Sequence, residues 1–297
     1  MISIHTNHIL LNNLYSKIVI MKYLKKILFP TDFSPMSKHA FLYALKLAKK
    51  FNAKLKVINI YRADFGVPVP ETVAYQMLEA RKEEAQKELS LFVKLDSNSP
   101  YADVPLEYCV DMGFASDVII DYSKNKEEEI DMIVMGTKGE HNLADKIFGS
   151  VTSNVIRDAK CPVLAIPEGT HDIEIRDIAY ATDLKSDTVE SLKEVAEIAA
   201  FFGANLHCIC IDTEGNDFTP ELRKFNDLIS KLDLDMKIAE LSSDTIAHGL
   251  DQYVHENGID MVLMLRSHRN FFERIFLRSI TTQVALHSTA PLLVFKK

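Results

Sequence analysis

Three glycines and a serine form the most informative pattern in this sequence. Gly136 and Gly139 are separated by two residues, and nine residues separate Gly139 from Gly149, which Ser150 follows. Glycine lets a backbone turn with positive φ and lets a ligand approach without a Cβ in the way. Serine favours the N-cap of a helix, and free amides at a helix N-terminus attract phosphate. The pattern therefore predicts a loop that binds the phosphate chain of a nucleotide.

The spacing of this loop differs from two other phosphate-binding patterns. No Gly-Lys-Ser/Thr follows four variable residues, and the order is not GxGxxG. A plain strand-to-helix turn with glycines at its corners is the alternative interpretation. The apolar run EEIDMIVM ends just before the loop, and SVTSNVIRDA just after it has helical spacing. We therefore expect a strand, a glycine loop and a helix in that order.

The chain repeats itself, and the repeat shows which elements position the loop. Four segments of the first half recur in the second half in the same order: 25–34 at 176–185, 44–61 at 195–212, 129–139 at 258–268 and 150–167 at 279–296. The first two pairs are displaced by 151 residues and the last two by 129, so the first half carries 22 extra residues in its middle. These fall around a proline-bearing loop and a charged helix. Internal repetition over this length predicts two similar domains.

Each half is predicted to alternate strands with helices. The first half has predicted strands near 25–31, 54–60, 104–110, 130–135 and 162–166, and predicted helices near 35–52, 71–95, 115–126 and 150–159. Such alternation predicts a parallel sheet with right-handed crossovers. In open sheets of this type, ligands lie beyond the carboxyl ends of the strands where the strand order switches. Thr31 and Asp32 follow the first strand and Gly136 follows the fourth, so we expect all three at one edge.

The second half has lost the glycines. At the aligned positions the three glycines are replaced and the serine is kept: Leu265, His268, Arg278 and Ser279. A side chain in a left-handed conformation costs roughly 1 kcal/mol or more, so the loop there must be rebuilt or filled. Two interpretations stay open. The second half is a degenerate domain kept for packing, or it is an altered anion site in which histidine and arginine side chains supply charge.

Composition limits the class of protein. The formal charge of −8 disfavours a nucleic acid or an anionic membrane as partner. None of the four cysteines forms a CxxC pair or a zinc-like cluster with histidine, and the pattern suits a reducing cytosol. Cys208 and Cys210 are two apart in a strand-like run, so we expect both on one face as small core residues.

The N-terminus needs its own interpretation. Residues 1–20 lack a basic n-region and a small-residue cleavage site, so they are not typical of a signal peptide. Met21 then opens a segment that looks like a natural start followed by a strand. We predict that residues 1–20 are a leader or a misassigned start outside the folded part, with an added helix as the alternative. No apolar run reaches the length of a membrane span, and no membrane partner is expected.

Several segments resemble the universal stress protein family in its tandem two-domain form. They are ILFPTDFS at 27–34, MGTKGEHNLADKIFGSVTSNVI at 135–156 and CPVLAIP at 161–167. The family's nucleotide motif is Gly, two residues, Gly, nine residues, Gly and then Ser or Thr, and residues 136–150 fit it. The resemblance extends over residues 21–297, with the nucleotide motif in the first half only.

The resemblance implies an α/β fold with two doubly wound domains, each with a five-stranded parallel sheet. This fold is adenine nucleotide alpha-hydrolase-like and Rossmann-like. The expected domains are 21–168 and 172–297. They would pack as an internal pseudo-dimer in which CPVLAIP pairs with APLLVFK at 290–296. Association of two chains into a homodimer is a further expectation.

The resemblance also implies ATP as the ligand, with or without Mg²⁺, and a set of contacts in the first domain. The expected binding residues are Pro30, Thr31, Asp32, Ile60, Met135, Gly136, Gly139, Gly149, Ser150, Val151 and Thr152. No catalytic set is evident in the sequence. The predicted function is a cytoplasmic stress-response sensor or regulator that binds one nucleotide in its first domain. The rival hypothesis is a slow ATPase or nucleotidyl-transfer enzyme with the same pocket.

Overall fold

Strands and helices alternate through the chain as predicted. The computed structural model describes residues 24–62, 68–137, 149–170, 174–185, 187–213, 215, 218–266 and 290–295. The first repeat contains β1 (Lys26–Thr31), α1 (Pro35–Phe51), β2 (Lys54–Tyr61), α2 (Glu71–Phe92), β3 (Leu106–Met112), α3 (Ala115–Lys124), β4 (Met132–Gly136), α4 (Ser150–Asp158) and β5 (Val163–Ile166). The second repeat contains β6 (Asp177–Thr182), α5 (Val189–Phe202), β7 (Asn205–Asp212), α6 (Thr219–Leu232), β8 (Lys237–Ser242), α7 (Ile246–Asn257), β9 (Met261–Leu265) and β10 (Leu292–Phe295). The predicted α/β class is confirmed.

The described strands form one continuous sheet. Its order is β3-β2-β1-β4-β5-β10-β9-β6-β7-β8. Strands are parallel within each repeat, but β5 and β10 pair antiparallel, with Leu164 opposite Leu293. The predicted pairing of the two last strands is therefore confirmed. Because the pairing is antiparallel, the carboxyl edge of the second repeat lies beside the amino edge of the first.

Helices cover both faces of the sheet. The apolar core on one face includes residues of α1, α2, α5 and α6, and the core on the other includes residues of α3, α4 and α7. Neighbouring strand residues such as Val57 and Ile58 point into opposite cores and are both fully buried. Each such burial contributes about 1.5–3 kcal/mol. Cys208 and Cys210 are buried on the same face, as predicted.

Aromatic side chains join the two repeats on one face. The Phe51 ring at the end of α1 stacks on Phe201 with ring centroids 4.3 Å apart, and it meets the edge of Phe202 at 5.8 Å. Phe51 and Phe202 occupy equivalent positions of the repeat, so this cluster lies near the axis that relates the two repeats. It supports the β5–β10 junction from one side of the sheet.

The extra residues of the first repeat lie between β2 and β3. The counterpart helix in the second repeat, α6, has 14 residues, whereas α2 has 22. Helix α2 buries only Ala85 and Leu89, while Tyr75 and Met77 near its start are exposed.

Residues 1–20, predicted to be a leader or misassigned start, lie outside the described residues. No helix in the part of the chain that the structure describes is long and apolar enough to cross a membrane.

Candidate functional site

A tight turn follows β1 and orients Asp32. Phe33 has a left-handed backbone with φ of 64°, and its amide donates to Thr31 Oγ1 at 3.0 Å. The amide and hydroxyl of Ser34 donate to Asp32 Oδ1 at 3.1 and 2.6 Å. These side-chain bonds offset the cost of a left-handed phenylalanine, which is about 1 kcal/mol. The N-cap of α1 is Ser34, so Asp32 serves the turn and presents an exposed carboxylate at the edge of the sheet.

The neighbouring strand β2 supports this turn. Asn59 is buried, and its amide group donates to the carbonyl of Thr31 at 2.8 Å. Asn59 is opposite Thr31 in the strand register, so Ile60 extends one residue further at the same edge. Pro30 and Ile60 are both half-buried. They therefore present apolar surface next to the Asp32 carboxylate.

Strand β4 ends on the other side of β1. The register that pairs Leu28 with Ile133 brings Gly136, by continuation, opposite Thr31. Met135 is buried beneath this edge. The ends of β2, β1 and β4 therefore lie side by side, and β1 and β4 meet where the strand order switches.

The base of the glycine loop is closed by two hydrogen bonds. The amide of Gly149 donates to the carbonyl of Thr137 at 2.7 Å. The hydroxyl of Thr152 donates to the carbonyl of Gly136 at 3.0 Å. Thr137 is itself fixed by its amide, which donates to the carbonyl of Ile166 in β5. The N-terminus of α4 is thus tied to the end of β4, while Gly139 lies outside the described residues.

Two details of the loop correct the sequence predictions. Ser150 was predicted as the N-cap of the helix, but the N-cap is Gly149 and Ser150 is the first helical residue. The Gly149 amide is bound to Thr137, and this contact fixes the position at which the helix begins. Gly149 has φ of −60° and ψ of 159°, so the predicted positive φ is wrong at this position. What distinguishes Gly149 is the missing side chain.

The start of α4 offers main-chain donors. Among the described residues, no acceptor takes the amides of Ser150, Val151 and Thr152. Ser150 is exposed, whereas the Thr152 side chain is buried and its hydroxyl is engaged by β4. Thr152 therefore offers its amide to a ligand at this end. Such amides, with the positive end of the helix dipole, suit a phosphate group.

The described residues fit a nucleotide in three respects. Half-buried apolar strand ends suit a flat base, an oriented carboxylate suits hydroxyl or amino donors, and the α4 amides suit phosphate. The structure brings together Pro30, Thr31, Asp32, Ile60, Met135, Gly136, Gly149, Ser150, Val151 and Thr152 at one edge. Within the described ranges, no group of three or more His, Cys, Asp or Glu could hold a metal ion.

The second repeat has the same turn after its first strand. Leu184 has φ of 59°, and its amide donates to Thr182 Oγ1 at 2.9 Å. The amide of Lys185 donates to Asp183 Oδ1 at 3.0 Å. These bonds reproduce those around Thr31 and Asp32. The Thr-Asp turn therefore belongs to the fold of both repeats and does not by itself identify a site.

The rest of the second edge differs. Leu265 replaces Gly136 and is buried opposite Phe295. The hydroxyls of Thr182 and Tyr180 both donate to the Asp187 carboxylate. Burial raises the pKa of Tyr180 well above its usual value, and the charge of Asp187 raises it further. A polar cluster thus fills this end, while His268, Arg278 and Ser279 lie outside the described residues.

Sequence reasoning missed two residues that organise the first edge. Asn59 is an amide within the apolar run KLKVINIY, and a polar residue in a buried strand is a signal that could have been used. Thr137 carries no such signal. It acts through its main chain, by accepting from Gly149 and donating to Ile166.

Comparison with known proteins gives consistent matches. A model of the universal stress protein family matches the chain twice, over residues 24–167 and 174–296. Universal stress protein MJ0531 of Methanocaldococcus jannaschii is 32% identical over 143 residues, which cover 48% of this chain and 81% of that protein. Universal stress protein Slr1230 of Synechocystis is 21% identical over 291 residues, which cover 92% of this chain and 100% of that protein.

A solved structure shows the same fold over nearly the whole chain. The crystal structure of a universal stress protein from Archaeoglobus fulgidus superposes with a TM-score of 0.65 and 21% sequence identity. The match covers 93% of this chain and 98% of that one. The similarity therefore includes both repeats and the way they join.

Proposed function

This chain belongs to the universal stress protein family in its tandem form, and on that premise we propose that its first repeat binds ATP as part of a stress response. One observation supports this most strongly. Three features lie at the edge where the strand order switches between β1 and β4. They are the oriented Asp32 carboxylate, the half-buried Ile60 and the first amides of α4. Occupancy of this edge by nucleotide is the proposed regulatory signal.

Each part of the edge is assigned a different part of the nucleotide. The apolar strand ends at Pro30 and Ile60 would contact the base. Asp32 would accept from hydroxyl or amino groups. The amides of Ser150 and Val151 would bind phosphate, with Gly139 contributing from the loop. A magnesium ion would accompany the phosphates rather than require a protein cage.

We further propose one nucleotide per chain. Leu265 brings a buried, branched side chain to the position where the first repeat has Gly136. The carboxylate of Asp187, bound by Tyr180 and Thr182, adds negative charge close to the same edge. Both features oppose an anionic ligand there. The proposal includes the domain limits 21–168 and 172–297 and a cytoplasmic location.

The first test uses the protein as purified from cells. The protein is denatured, and any released nucleotide is identified and quantified by chromatography. Equilibrium binding to ATP, AMP and sulfate is then measured on protein freed of nucleotide. We expect preference for ATP with about one site per chain. A stoichiometry of two, or equal affinity for sulfate, would refute the proposal, and steady release of ADP would favour the rival ATPase.

The duplicated turn supplies a matched pair of variants. Asp32→Asn and Asp183→Asn keep an oxygen acceptor for the turn, because asparagine forms the same local turn. Each removes one negative charge. We expect Asp32→Asn to weaken ATP binding about tenfold, in line with the loss of a charge-assisted hydrogen bond. Asp183→Asn should bind ATP like the wild type, and equal effects of the two variants would contradict the assignment.

A further inference from the structure

The C-terminus of α4 lacks the ending that four of the seven described helices have. Four described helices end at a left-handed residue, namely Asn52, Gly203, Asp233 and Gly258. After α4 the chain is extended at Ala159, with φ of −59° and ψ of 152°. Ile156 and Ala159 are fully buried. Their carbonyl groups therefore need a donor from elsewhere.

The donor comes from the second repeat. The guanidinium of Arg266 donates from Nη1 to the carbonyl of Ile156 at 2.9 Å and from Nη2 to that of Ala159 at 2.6 Å. Burial lowers the pKa of Arg266, and the charge of Asp158 partly opposes that effect. Arginine stays protonated in proteins, so a positive charge meets the negative end of the α4 dipole.

Arg266 is itself fixed by the sheet. It directly follows β9, and its amide donates to the carbonyl of Phe295 at 2.9 Å. This bond matches the one between Thr137 and Ile166, so Arg266 stands where the first repeat has the base of its glycine loop. The antiparallel pairing of β5 with β10 brings this edge beside the end of α4.

The short helix α4 is consequently held at both ends by different repeats. At its N-terminus Thr152 is bonded to Gly136 of the first repeat, and at its C-terminus Arg266 holds two carbonyls. The attachments at Ile156 and Ala159 lie four and seven residues after Thr152, which is about 6–10 Å at 1.5 Å per residue. A change in the position of one end therefore changes the direction in which the amides of Ser150 and Val151 point.

We propose that Arg266 is a positioning residue through which the second repeat sets the phosphate affinity of the first. The inference rests on the proposed ATP site. It assigns the second repeat a role in binding although its own glycines are gone. Arg266 touches no nucleotide in this arrangement and acts only through the orientation of α4.

The test compares ligands with and without phosphate. Full-length wild type, Arg266→Gln and Arg266→Lys are titrated with ATP and with adenosine by calorimetry. We expect Arg266→Gln to weaken ATP binding roughly two- to thirtyfold, the range for residues that modulate a distant site, and to leave adenosine affinity unchanged. Arg266→Lys keeps the charge and can reach one carbonyl, so it should restore part of the ATP affinity.

A neighbouring arginine provides the control. Arg157 is exposed and pairs with Asp158 at the same helix end, and it donates to no carbonyl group among the described residues. Arg157→Gln removes the same charge and should bind ATP as the wild type does. An equal loss in Arg157→Gln and Arg266→Gln would show an effect of charge alone and overturn the positioning role.

The outcomes separate this inference from the proposed function. If the wild type binds no ATP, the proposed function fails and the inference fails with it. If the wild type binds ATP and Arg266→Gln binds it equally well, only the inference fails. A parallel loss of ATP and adenosine affinity also refutes positioning through phosphate. If Arg266→Gln does not fold, Arg266→Lys tests the positioning role instead. Its loss of affinity must be greater for ATP than for adenosine.

Discussion

The hydroxyl of Thr152 gives a sharp test of how the start of α4 is held. It donates to the Gly136 carbonyl at 3.0 Å from a side chain that is 3% exposed. Thr152→Val keeps the branched shape and removes the donor, which leaves the carbonyl without this partner. The cost is the loss of one buried hydrogen bond, about 1–2 kcal/mol in the free energy of unfolding.

Thr152→Ser is the matched control. It keeps the hydroxyl and deletes one methyl group, which costs about 1 kcal/mol through lost apolar burial. The two variants should therefore be destabilised to a similar extent in urea unfolding. They should differ in ATP binding, because only the valine variant releases α4 from β4.

The expected difference in affinity follows from the bond that is lost. If about 1 kcal/mol holds the α4 amides toward the ligand, its loss weakens ATP binding by at most about fivefold. Calorimetric titration of both variants with ATP measures this directly. Equal affinity in Thr152→Val and Thr152→Ser, with both proteins folded, would refute the view that the Gly136 contact aims the amides.

Two further predictions concern the thiols and the dependence of stability on pH. Three thiols are buried, and burial raises the pKa of each of them: Cys161 (to about 12), Cys208 and Cys210 (to about 12). Cys109 is half-buried, so native protein should show one fast-reacting thiol with Ellman's reagent. Cys109→Ser should abolish this fast reaction. Several fast-reacting thiols in the native protein would contradict the burial of the other three. Burial alone would raise the pKa of Glu128, but Lys56 at 2.6 Å and Lys26 at 3.1 Å outweigh it and lower the pKa. A lowered carboxyl pKa stabilises the fold above the usual Glu pKa and loses that effect as pH falls through the lowered pKa. Glu128→Gln should therefore be less stable by at most about 1 kcal/mol at pH 7 in this partly solvated cluster. The difference in the free energy of unfolding should shrink as pH falls below the usual Glu pKa, and a constant gap in urea unfolding would be inconsistent with this.

The strands of the first repeat were predictable because burial on both faces leaves a plain signal. Apolar residues make up most of the run KLKVINIY, which forms β2 over Lys54–Tyr61. The alternation of strands and helices also predicts Thr31 and Gly136 at one edge of the sheet. The strand order, in which β1 and β4 are neighbours, agrees with this. The apolar runs indicate the strands, and the alternation of strands with helices indicates a parallel sheet whose carboxyl ends share one edge.

The start of α4 was not predictable to the residue. Serine is a favourable N-cap, yet Ser150 is the first helical residue because the amide of Gly149 is bound to Thr137. That bond joins two residues that are twelve positions apart in the sequence. Local preference was overruled by a contact that only the folded chain makes.

The Thr-Asp turn shows a different limit. Asp32 and Asp183 are both conspicuous residues after a strand, and both accept from the amide two residues later at closely similar distances. A motif shared by both repeats identifies the turn and leaves its use undecided. The surroundings decide it, since Asn59 and Gly136 flank the first turn while Cys210 and Leu265 occupy the equivalent positions in the second.

The two repeats are better understood as unequal parts of one site than as one working and one idle copy. A second repeat retained only for packing would need its apolar contacts, such as Phe201 on Phe51 and Leu293 opposite Leu164. It would not need a half-buried guanidinium that donates to two carbonyls of the other repeat. Placing a charge in partly buried surroundings is costly unless it is well paired, and Arg266 meets that condition only while α4 keeps its present direction. The antiparallel pairing of β5 with β10 brings the end of β9 close to the C-terminus of α4. Arg266, which stands at the position of Thr137 in the first repeat, can therefore reach the two carbonyls. The division of roles therefore follows from the fold: the first repeat presents the amides, and the second fixes the helix that carries them.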